Sequence, residues 1–139
     1  MIEREALLRI AAGAQLFLFA VNFGLVRMMG WKGELAKLPL LAREVFHVHL
    51  WFVGITCAIF GGMTWRFAPE MAAGSSEPLR WLAGAIGVFW GIRSVLQVAY
   101  YSPVHWRGSF PRTLVHFVCL GGYGSLSVIF LETAWRRLG

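Results

Sequence analysis

Four stretches of this chain are apolar almost without interruption, with none of the broad polar faces that a soluble amphipathic helix carries. They run from Ile10 to Val26, Glu44 to Trp65, Trp81 to Ser102 and Thr113 to Leu131. The first and last carry no charge, and the third is interrupted only by Arg93. A helix crosses the hydrocarbon core of a bilayer with about 20 such residues. The pattern therefore predicts four transmembrane helices, at about 6–28, 43–66, 79–102 and 111–135, in one domain over 1–139. The connections are short and hold breakers: Gly30, Gly33 and Pro39, then Pro69 with Gly74, Ser75 and Ser76, then Pro103, Gly108 and Pro111. Short breaker-rich connections join antiparallel neighbours. The expected fold class is an all-α integral membrane protein, an up-down-up-down four-helix transmembrane bundle.

Composition agrees with this pattern. With 58% hydrophobic and 14% charged residues and a mean hydropathy of +0.61, the chain is too apolar for a soluble domain of its size. The first stretch opens on Glu3, Arg4 and Glu5 in mixed charge and lacks a small-residue cleavage site, so it reads as a retained helix rather than a secretory signal. The net charge of +6 is spread over the helix ends, which points to anionic headgroups and away from nucleic acid. Trp31, Trp65, Trp81, Trp106 and Trp135 fall near the same ends, as interfacial anchors do. Basic residues divide evenly between the two sides and set no orientation. The expected location is a multi-pass position in a membrane, the bacterial inner membrane. Cys57 and Cys119 read as small hydrophobes within helices, at depths too different for a disulfide.

Against this background the polar residues inside the spans stand out, because polar groups in hydrocarbon are costly and usually functional or paired. Depth is counted from the face shared by the first and third loops. His47 follows Arg43 by four residues and His116 follows Arg112 by four, which puts each about 6 Å inside that boundary at 1.5 Å per residue. Asn22 and Gln97, on the antiparallel helices, reach within about a turn of the same height, and Arg93 lies one turn deeper than Gln97. Helical phase adds direction. Arg112, His116, Cys119, Tyr123 and Ser127 form one stripe at spacings of three and four; Trp90, Arg93, Gln97 and Tyr100 or Tyr101 form another; Gln15 and Asn22 share a face. His47 lies in line with Gly54, Ala58 and Gly61, whereas His49 shares its side with Phe52, Phe60 and Met63 and is expected at the lipid interface or behind His47.

Two imidazoles from parallel helices at one depth, with glycines and a guanidinium nearby, suit haem b: His47 and His116 as axial ligands, and Arg93, Gln97, Asn22, Tyr123 and Tyr101 around the macrocycle and its propionates. Gly54, Gly121, Gly122 and Gly124 are the glycines placed to let a porphyrin approach the backbone. In general arrangement the layout resembles the four-helix membrane b-type cytochromes, and no sequence motif assigns the chain to a named family. The expected function is a membrane redox protein passing electrons within the bilayer.

Two other readings use the same residues. In one, His47, His116 and His105 hold an iron, copper or zinc ion, with Glu44 and His47 as an ExxH pair, and Arg93 with Tyr100 or Tyr101 orients a quinone or other lipid-soluble substrate. In the other, the chain is a non-catalytic subunit of a larger membrane complex or a homo-oligomer, and Gly87 and Gly91 form a GxxxG pair facing a neighbouring helix or another chain. A single membrane histidine is also commonly a hydrogen-bonded packing residue. The chain contains no GxSxG, phosphate loop or CxxC, and no paired carboxylates within the spans, so acid–base chemistry would fall to histidine or tyrosine.

Overall fold

The computed structural model describes residues 1–100, 108 and 110–136. Among these there is no strand, and the helices are α1 (Ile2–Met28), α2 (Lys32–Ala36), α3 (Leu40–Ala73), α4 (Glu77–Ala99) and α5 (Phe110–Trp135). The chain is thus the expected all-α membrane protein: α1, α3, α4 and α5 are each long and apolar enough to cross a bilayer. Large apolar side chains such as Phe17, Phe52, Phe117 and Val118 point outward along them, as lipid-facing residues do.

Local chemistry accounts for the helix ends. α1 closes on a left-handed Gly30 with φ of 67°, its N–H on Arg27 O and the N–H of Trp31 on Val26 O, the paired bonds of a Schellman motif. α4 opens from an extended Ser76 into Glu77 and Pro78, where the missing proline N–H removes no helical bond. The difference from the sequence reading lies in α3, which runs through Pro69 and ends only at a left-handed Gly74. Pro69 removes the N–H that Trp65 O would accept. Both residues are exposed, Trp65 at the end of the apolar stretch and Pro69 beyond it, where water can serve that carbonyl.

The chain divides into two compact units, Arg9–Arg66 and Met1–Leu8 with Phe67–Gly139. In the first, α1 and α3 run antiparallel and close. A Cβ on Gly61 would lie 2.9 Å from Leu16 Cγ and 3.1 Å from Ala12 O, and one on Gly54 would lie 3.0 Å from Asn22 Nδ2. Asn22 Nδ2 donates to Leu50 O, and Arg9 lies over the Trp65 ring at 5.3 Å. α2 tucks Leu35 inward, and Trp31 meets Phe46 edge-on at 6.2 Å. The small-residue line on α3 is therefore a packing surface for α1.

In the second unit α4 and α5 form an antiparallel hairpin. Ile86, Trp90, Leu126 and Phe130 are its buried core. A Cβ on Gly87 would come within 2.8 Å of Leu131 Cγ, and one on Gly91 within 3.0 Å of Ser127 Oγ. The GxxxG pair faces the neighbouring helix of the same chain. At the far end Arg80 Nε donates to Ala134 O, and Arg4 reaches Thr133 Oγ1 and Glu132.

Candidate functional site

The α4–α5 hairpin carries a ladder of polar contacts inside its span. Gln97 and His116 form the outer rung, with Gln97 Nε2 at 3.1 Å from His116 Nδ1. The next rung is aromatic and cationic: the Trp90 and Tyr123 rings stack at 5.3 Å and 19°, and the Arg93 guanidinium carbon sits 5.3 Å from the centre of the Tyr123 ring. Deeper still, Ser127 Oγ donates to Gly87 O at 2.8 Å. The rungs follow from the sequence periodicity: 90, 93 and 97 on α4 and 116, 123 and 127 on α5 recur every three, four or seven residues, so each set lies along one side of its helix. A ring face attracts a guanidinium, and more so where water is scarce.

His116 is buried, 8% exposed, and a Gln97 amide nitrogen can only donate. With the Gln97 amide nitrogen turned toward it, Nδ1 of His116 accepts, and a neutral imidazole then carries its proton on Nε2 as a hydrogen-bond donor. Arg93 supplies further donors one turn deeper. An imidazole N–H and a guanidinium along one seam favour a ligand with carbonyl or anionic oxygens.

Two more of the expected site residues, His47 and Asn22, belong to the other unit. His47 belongs to the unit Arg9–Arg66, half-buried on α3 beside the Phe46 ring at 5.9 Å. Its Nδ1 lies 2.8 Å from Arg43 O, so Nδ1–H donates and the lone pair is left on Nε2. This is the tautomer a metal-ligating histidine adopts when a carbonyl holds its other nitrogen. Asn22 is engaged with the α3 backbone at Leu50, and its contact with Gly54 fills the place the sequence reading gave to a porphyrin edge. Of the other three glycines, Gly124 faces Ser94 of α4, at 3.7 Å from Oγ for an added Cβ, while Gly121 and Gly122 meet nothing within 4 Å. His49 is exposed and bonded to Val45 O, on the outward side with Phe52, as expected. Tyr100 is 80% exposed. Tyr101 and His105 lie outside the described residues.

Glu44 is exposed, and among the described residues no three His, Cys, Asp or Glu side chains gather as a bare metal site would need. Both cysteines are free thiols. The bonds from Ser127 and from Asn22 to backbone carbonyls were missed from the sequence, because any residue can supply that acceptor. Neither a protein-family model, nor a curated protein, nor a solved structure matches the chain.

Proposed function

We propose that this chain is a multi-pass membrane redox protein, of the bacterial inner membrane type, whose α4–α5 seam binds the carbonyl end of a lipid-soluble quinone. The observation that carries the reading is the Gln97 to His116 hydrogen bond, because it sets the imidazole as a donor at Nε2. Arg93 lies one turn deeper on the same side of α4, where its positive charge favours the negative charge a carbonyl oxygen gains on reduction. Tyr123, stacked on the buried Trp90 ring, fixes where the Arg93 guanidinium sits.

Haem b is the second reading, and it draws its support from His47, which is held in the metal-ligating tautomer by Arg43 O. In that reading His116 also ligates, which needs the Gln97 amide turned so that its oxygen accepts from Nδ1–H. Purified protein titrated with a short-chain benzoquinone, and its absorption spectrum after expression with ample haem, test the two together. Saturable quinone binding that is lost in Arg93→Leu and His116→Ala carries the first reading. A Soret band lost in His47→Ala or His116→Ala carries the second. A colourless protein that binds no quinone overturns both.

A further inference from the structure

We infer that the first connection, residues 29–39, forms with the start of α3 a binding groove for one anionic phospholipid, whose acyl chain lies in the groove and whose headgroup meets Lys32 and Arg43. The groove is open, about 380 Å³, and lined by Trp31, Glu34, Leu35, Leu38 and Phe46. That volume is within the roughly 300–1,000 Å³ of small-molecule sites. It lies wholly within the unit Arg9–Arg66, between the C-terminal end of α1 and the first turns of α3, at the level where spans meet headgroups.

Its walls are fixed by contacts rather than by chance exposure. Trp31 is held by its N–H on Val26 O and by the edge-on ring of Phe46, and Leu35 is buried, 7% exposed. Charge then selects the occupant. Residues 27–46 hold Arg27, Lys32, Lys37 and Arg43 against Glu34 and Glu44. Glu34 is taken by Lys37 at 2.8 Å, which leaves three cations against Glu44 and a net positive sign at the groove. Lys32 stands one turn before Leu35, and Arg43 one turn before Phe46, so each places a cation beside an apolar wall residue. An apolar channel with cations beside it matches a lipid with a negatively charged headgroup, and a zwitterionic lipid would lack the electrostatic part.

The test is native mass spectrometry of the full chain in detergent, with equimolar phosphatidylglycerol and phosphatidylcholine added. One phosphatidylglycerol per chain should be retained in preference. Each cation removed by Lys32→Gln or Arg43→Gln should lower that preference about fivefold, the factor for ~1 kcal/mol per basic residue near an anionic surface. Arg66→Gln, a boundary cation at the other end of α3, should leave it unchanged. Equal retention of the two lipids, or an equal loss in Arg66→Gln, overturns the site in favour of diffuse attraction. Should the groove variants fail to fold, wild type and Trp31→Phe are compared in bilayers with brominated lipids. The fluorescence assigned to Trp31 should be quenched more by brominated phosphatidylglycerol than by brominated phosphatidylcholine, and equal quenching overturns the proposal.

Discussion

Gln97 of α4 and His116 of α5 meet across the hairpin at 3.1 Å, a side-chain bond between two helices inside an apolar span. Lipid offers neither group a replacement partner. Gln97→Leu should therefore lower the stability of the folded protein in mixed-detergent unfolding by about 0.6–1.7 kcal/mol, the range for interhelical side-chain bonds in membranes. A value near zero would mean that the pair contributes nothing to holding the hairpin.

Close approach of the two helices depends on Gly87. An added methyl would lie within 2.9 Å of both Leu131 Cδ2 and the Leu131 backbone nitrogen, and the backbone cannot swing away as a side-chain tip can. Gly87→Ala should destabilise by about 1–3 kcal/mol through overpacking. Gly121, with nothing within 4 Å, is the control. Gly121→Ala should be neutral or gain up to about 1 kcal/mol of helix propensity. Equal effects of the two changes in the same unfolding assay would contradict the packing described for the hairpin.

These two positions also mark what sequence can and cannot convey. The Gln97–His116 pair was legible because periodicity gives the side of each helix, and antiparallel order gives depth. The role of Gly87 was only half legible: its small size announced a close neighbour, but nothing in the residue itself says which neighbour. Ser127 donating to the Gly87 carbonyl was not legible, since every residue carries that acceptor. The same gap explains Asn22, whose partner is the backbone of Leu50 and not another polar side chain. Pro69 misled in the other direction, because a proline counts against a helix that solvent outside the apolar stretch can tolerate.

Arg93 separates a ligand site from a packing device. Arg93 is a half-buried charge inside an apolar span, where charge is costly, so Arg93→Leu should stay folded by circular dichroism and unfold no earlier than wild type. Quinone affinity should fall at least about tenfold, because bonds to charged groups contribute roughly 1.5–3 kcal/mol. Tyr123→Phe, which keeps the ring under the guanidinium, should retain more of that affinity than Tyr123→Leu. Unchanged titration curves in Arg93→Leu would remove Arg93 from the site.

The two functional readings differ in which nitrogen of His116 carries the proton, and a change at residue 97 acts on that choice directly. Gln97 as placed donates to Nδ1 and leaves Nε2–H as a donor. A carboxylate at the same position can only accept, so Gln97→Glu shifts the proton to Nδ1 and leaves the lone pair on Nε2. A quinone held by Nε2–H then loses its donor, and its dissociation constant should rise about tenfold for a lost bond of ~1.4 kcal/mol. A haem ligated through Nε2 gains a more basic ligand, as a carboxylate partner raises histidine basicity, and its reduction potential should fall while the Soret band persists. Gln97→Met, which neither donates nor accepts strongly, separates these effects from loss of the interhelical bond. Quinone affinity that is the same in Gln97→Glu and wild type would show that Nε2–H is not what the ligand meets, and would overturn the quinone reading at its central bond.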